Sequence, residues 1–423
     1  MTKLVFHLGD MKTGSTAIQT ALSSKSWTCD TVRLLYPHGT KVSHITFAQS
    51  LSGKVDGSRT EKLALDILDE IARTPSDVAV ISAEHFENVD PRVLKTIIDE
   101  YMPGTLEGAR FLAYVRPHAD RFPSTYAERV KTGQFLGTLA ELQATLHNRE
   151  TFVYTPRFLQ WRRVFGAAFT LRPMIRDLLF RKDVVADFLQ FALQTEDFTL
   201  AATPDANESL SLENLSIVRQ LHLRMSEGQR KSQNYQSTVG RALARRMNES
   251  AFRNGTKVRI HKALALVVRD QYAADAAALD AAFFTGSPML DALNAAPDKA
   301  VDAPQSVRIE DHFSDREQYL INTFVDQTAV LINADPDFLA EKLRTEHRSK
   351  VIAEDDHDGS TPARSARRRQ GKGGGKGAGG KAGAGKLRAK AGGGKAGPGR
   401  GGAGRRKARA AAGGVEGGSD GAD

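Results

Sequence analysis

Phe6-His7-Leu8-Gly9-Asp10-Met11-Lys12-Thr13-Gly14-Ser15-Thr16-Ala17-Ile18-Gln19 decides the fold. An apolar run ends in a loop carrying two glycines and several hydroxyls, and the loop opens into a segment of helical spacing. A strand–loop–helix of this kind aims backbone N–H groups at an anion and adds the positive end of a helix dipole. Lys12 supplies a point charge, and Ser15 and Thr16 supply hydroxyl donors. Lys12, Thr13, Gly14, Ser15 and Thr16 are therefore candidate anion ligands.

Outward from this loop the pattern repeats. Apolar β-like runs fall at 3–8, 32–36, 77–81, 109–115 and 168–172. Helical stretches separate them at 16–24, 61–73, 91–101, 119–132 and 156–165. Asp90-Pro91 reads as a helix start, with an N-cap followed by proline at the first helical position. Near-continuous apolar strands alternating with helices predict an α/β fold with a parallel sheet flanked by helices on both faces. From about residue 176 the β signal fades. Segments 212–225, 237–247, 262–284, 315–332 and 336–344 predict additional C-terminal helices. Residues 1–345 thus read as one α/β domain with a helical C-terminal part.

The formal charge of +9 is unevenly placed. Residues 361–423 hold 16 of the 59 Lys/Arg, 3 of the 50 Asp/Glu and 22 of the 37 glycines, so this segment carries +13 and the remainder −4. Residues 346–423 are expected to form a disordered basic tail rich in Gly, Lys, Ala and Arg, too poor in apolar side chains to offset the entropy of ordering. No aromatics interleave its charges, so any contact with nucleic acid, lipid or acidic glycan would be a nonspecific polyanion contact. A single cysteine, Cys29, excludes an intrachain disulfide framework and a cysteine metal cluster. No apolar run approaches the ~20 residues of a membrane span, and the short apolar start gives no signal peptide. A cytoplasmic protein is the expectation.

The first loop departs from a regular P-loop, in which lysine directly follows the second glycine; here Lys12 precedes Gly14 by two residues. The order Lys-Thr-Gly-Ser-Thr resembles the 5′-phosphosulfate loop of sulfotransferases, which use 3′-phosphoadenosine 5′-phosphosulfate (PAPS). A second match lies about 100 residues on. The strand Phe111-Leu112-Ala113-Tyr114-Val115 ends in Arg116-Pro117, and Ser124 follows eight residues after Arg116. The family holds the 3′-phosphate of PAPS with an arginine and a serine at this spacing, and a guanidinium offers phosphate a bidentate fork. The run from Tyr126 through Arg129 and Lys131 to Gly133 also looks like bacterial members, as do weaker stretches at 154–166, 183–191 and 207–211. The resemblance covers about residues 1–225, thins to 345 and excludes the tail.

It implies a P-loop nucleoside-kinase-like fold, PAPS as co-substrate without a metal, and transfer of a sulfuryl group to a hydroxyl acceptor, a carbohydrate above all. It also implies that Lys12 stabilises the leaving oxygen and that Glu84, after the strand at 77–81, is the base. His85 competes for that role, because an unperturbed imidazole titrates near neutrality. His7 ends the first strand and positions the loop. Two alternatives remain at this stage: a P-loop kinase or other NTPase, and a nucleic-acid-associated protein acting through its tail. No HExxH spacing occurs. Asp335-Pro336-Asp337 reads as a helix cap, Glu354-Asp355-Asp356 as solvated, and the apolar stripe of 262–284 as core or a dimer face.

Overall fold

The computed structural model of the chain describes residues 2–37, 42–53, 58–146, 152–201, 209–227, 233–249 and 255–336, together with 338, 339, 341–343 and 345. The tail assigned to 346–423 lies outside the described residues, as do Asn207, Glu208, Asp337 and the acidic run 354–356.

Five strands form one parallel sheet: β1 (Lys3–Leu8), β3 (Leu34–Leu35), β4 (Val78–Ala83), β5 (Arg110–Val115) and β6 (Phe169–Pro173), in the order β3-β4-β1-β5-β6. β1 pairs His7 with Ser82 of β4 and with Leu112 of β5. Two short strands, β2 (Trp27–Thr28) and β7 (Thr199–Leu200), pair antiparallel beside it. All five expected strands are present. The expected strand at 32–36 is shorter, because only Leu34 and Leu35 pair with β4, and β7 lies beyond residue 175, where only helices were expected.

Side-chain alternation explains why these runs are apolar throughout. Leu4, Phe6 and Leu8 enter one core with Ala79, Ile81, Phe111 and Ala113, while Val5, Val80, Leu112 and Tyr114 enter another on the opposite face. Both faces are covered, so neither set of positions can be polar. On the first face lie α2 (Ile45–Leu51), α3 (Ser58–Arg73), α4 (Pro91–Tyr101), α5 (His118–Lys131), α6 (Leu139–Leu146), α7 (Tyr154–Phe165) and α11 (Lys262–Phe283). The second face is covered by α1 (Ser15–Ser24) and α8 (Val184–Leu193). The Asp90 side chain caps α4 as expected. The 262–284 stripe proves to be core: Leu264, Val268, Tyr272, Ala276 and Leu279 are buried. Short α12 (Pro288–Asn294) and α13 (Ala296–Lys299) pack on α11.

A third apolar cluster joins α9 (Leu212–Ser226), α10 (Gln233–Asn248) and α14 (Asp315–Ala334) through Leu221, Met225, Tyr235, Val239, Val325 and Ile332. Past α14, Asp335 Oδ1 accepts from the Phe338 N–H at 3.0 Å, which is the capping expected there. The fold is α/β, a parallel five-stranded sheet flanked by helices, consistent with a P-loop-like architecture.

Candidate active site

The loops after β4, β1 and β5 emerge side by side at the carboxyl ends of three adjacent parallel strands, where open α/β sheets bind ligands. The loop after β1 is held in a strained form. Lys12 and Gly14 both have left-handed backbone, with φ of 68° and 83°, a geometry that turns successive N–H groups toward one concavity. A Cβ on Gly14 would lie 2.9 Å from Val184 Cγ1 of α8, so glycine is required there on both counts. The Thr13 hydroxyl donates to the Asp10 carbonyl at 2.7 Å, so its side chain tightens the loop. Ser15 is 1% exposed, and its Oγ has no hydrogen-bond partner. A buried hydroxyl without a partner at a helix N-terminus is suited to an anionic ligand. Thr16 next to it is exposed.

The second sequence match closes on the first. Arg116 Nη1 donates to the Lys12 carbonyl at 3.1 Å and lies 3.3 Å from Ser124 Oγ. Tyr154 Oη donates to the Arg116 carbonyl at 3.0 Å. Arg116 and Ser124 are thus brought together against the first loop.

Lys12 Nζ meets Glu128 Oε2 at 3.1 Å. Glu84, half-buried on the short 3₁₀ turn Glu84–Asn88, sits in the field of Lys12, Glu128, Arg241 and Asp10. Burial is the largest influence and raises its pKa, with the Lys12 ammonium pulling the other way. His85 follows on the same turn, also half-buried. His7 is fully buried, which drives its imidazole down to about 3, so it stays neutral. Its Nδ1 lies 2.8 Å from Ser82 Oγ, to which Gln19 Nε2 donates at 3.1 Å. Those bonds fasten β1, β4 and α1 together beneath the loop.

Sequence reasoning missed the charges that hold the loop. Asp10, fully buried, accepts from Arg121 Nη1 and Arg157 Nη2, each at 3.0 Å. Glu87 accepts from Arg121 Nη2 at 2.7 Å and from the Met11 N–H at 3.1 Å. The two arginines keep the Asp10 carboxyl below its ordinary range against the cost of burial, whereas burial and the Asp10 charge push Glu87 up to about 7. Glu128 was missed too. One signal was available: Arg121, Ser124, Glu128 and Lys131 recur at helical spacing on α5, whose other positions Phe122, Tyr126 and Val130 are core. That polar stripe faces the loop. Arg129, expected to face a ligand together with Lys131, lies off it. Among the described residues no group of three His, Cys, Asp or Glu is placed to hold a metal ion, and no helix is long and apolar enough to cross a membrane.

No family model matches the sequence, and no curated protein matches it. Among solved structures, a sulfotransferase from Alicyclobacillus acidocaldarius is similar at a TM-score of 0.35 and 17% identity, over 48% of this chain and 88% of that one. A likeness of that size decides nothing about chemistry, which rests on the residues just described.

Proposed function

We propose that the chain is a sulfotransferase that moves a sulfuryl group from PAPS to a hydroxyl acceptor. The observation that carries this reading is the Arg116 guanidinium set between Ser124 Oγ and the carbonyl of Lys12, beside a loop with an unpartnered buried hydroxyl at Ser15; this supports a pair of neighbouring anion subsites. Two anion sites fixed to one another suit a nucleotide with phosphate groups at both ends of its ribose. Arg116 and Ser124 hold the 3′-phosphate. The N–H groups of the loop, with Ser15 and Thr16, hold the 5′ end.

In the proposed reaction the acceptor oxygen forms a bond to sulfur as the bond from sulfur to the 5′-phosphate oxygen breaks, through a loose in-line transition state like that of phosphoryl transfer. Lys12 neutralises charge developing on the departing phosphate oxygen. The acceptor proton passes to Glu84, whose burial raises its basicity, with His85 as the competing base. The products are a sulfate ester and adenosine 3′,5′-bisphosphate. A carbohydrate acceptor is part of the proposal and rests on the sequence resemblance alone.

Calorimetric titration tests the reading. Adenosine 3′,5′-bisphosphate is expected to bind without Mg²⁺ and more tightly than ATP. Lys12→Ala and Arg116→Ala should each weaken it by about 10- to 100-fold, the worth of one charge-assisted contact. A preference for ATP with strict Mg²⁺ dependence would overturn it.

A further inference from the structure

Glu128 stands at the centre of a cluster of cations that the proposed donor site does not explain. Its carboxylate meets Lys12 Nζ at 3.1 Å, Lys131 Nζ at 2.5 Å and Arg241 Nη2 at 3.1 Å. Three elements converge here: the loop after β1, the last turn of α5, and α10 from the C-terminal helices. The approach of α10 depends on Gly240, where a Cβ would lie 1.8 Å from the Lys131 carbonyl oxygen; no other residue lets the two backbones come so close. His222 Nε2 lies 3.0 Å from the same oxygen. Arg241, the next residue along, is thereby delivered to Glu128.

Glu128 meets three cations directly, with Glu84 as a second carboxylate in the field of Lys12 and Arg241, and the Glu128 side chain is only 15% exposed. The cations hold the Glu128 pKa down to about 2 despite burial. A carboxylate has the charge and oxygen spacing of a small oxyanion, and it occupies the lysine that the donor requires.

We infer that Glu128 is an internal competitor for anionic ligands: its carboxylate holds Lys12 while the site is empty and yields Lys12, Lys131 and Arg241 to an incoming phosphate or sulfate group. The role of Lys12 toward the donor rests on the sulfotransferase reading; the competition for an oxyanion does not. Affinity in the intact protein is therefore lower than the cations alone would give. Glu128 acts through Lys12 and is a positioning residue.

The test is calorimetry on the full chain with two probes, adenosine 3′,5′-bisphosphate and inorganic pyrophosphate, at low salt. Glu128→Gln should bind both about 10-fold more tightly. Glu128→Asp keeps the charge but withdraws the carboxylate from Lys12, so it should show a smaller gain, and it carries the test if the glutamine variant does not fold. A gain in affinity separates competition from a merely structural role, whose loss only weakens binding. Equal or weaker pyrophosphate binding in the variants overturns the inference. Tighter pyrophosphate binding with no binding of the bisphosphate by any form upholds it while removing the sulfotransferase reading.

Discussion

Replacing Glu87 by glutamine should change how stability depends on pH. Glu87 is 1% exposed at its side chain, and burial beside the Asp10 carboxylate raises its pKa from 4.5 to about 7. A carboxyl with a raised folded-state pKa contributes stability that is full below its unfolded value and is lost as pH rises through the folded value. The window therefore runs from about pH 4.5 to about pH 7. At 1.36 kcal/mol per pKa unit, a gap of that size makes the native state about 3 kcal/mol less stable at pH 8 than at pH 4.5 through this group. Glutamine copies two contacts of the protonated form, an oxygen accepting from Arg121 and a donor toward Asp10, but its amide nitrogen cannot accept the Met11 N–H that Oε2 receives, which costs about 1 kcal/mol at every pH. Urea unfolding of wild type and Glu87→Gln at intervals from pH 5 to pH 8 reads the difference. From pH 5 to pH 8 the difference between the two should move in the variant's favour by about 2 to 3 kcal/mol. Asp10 does not interfere, because its pKa is lowered and its own window lies below 3.8. Glu84 titrates in both proteins and cancels. Parallel curves across the range would refute the assignment of Glu87 as the protonated partner of Asp10.

Gly14→Ala should cost about 2 to 4 kcal/mol in chemical denaturation, combining a left-handed backbone with a methyl group pressed against Val184. Asp275→Ala should cost about 1 to 3 kcal/mol in the same assay, because the Asp275 carboxylate accepts from the Tyr154 and Thr155 N–H groups at 2.8 and 3.0 Å and caps α7 from a distant helix.

The sheet was legible because its strands are buried on both faces, which leaves a continuous apolar run at 3–8 or 109–115 for a reader to find. The loop after β1 was legible because glycine, lysine and hydroxyls in that order have a local job. α8 was not among the expected helices: the β-branched Val184 and Val185 open it, and the Asp183 carboxylate, accepting from the Val185 and Ala186 N–H groups, starts it. The charges around the loop were hidden for another reason. Asp10 finds Arg121 and Arg157 at separations of 111 and 147 residues, and Lys12 finds Glu128 at 116, so no local spacing announces them. Arg116 and Ser124 were singled out through the family resemblance, at an eight-residue interval that runs from the end of β5 into α5.

The stripe on α5 has a consequence for what the chain can tolerate. Arg121 meets Asp10 and Glu87, Ser124 meets Arg116, and Glu128 meets Lys12 and Lys131, yet the four share one rotational phase. Adding or deleting one residue within the helix would turn everything beyond it by about 100°, swinging those side chains off the loop and Phe122, Tyr126 or Val130 into their place. The length of α5 between His118 and Lys131 therefore cannot drift; length variation has to be absorbed in the loops beyond its ends.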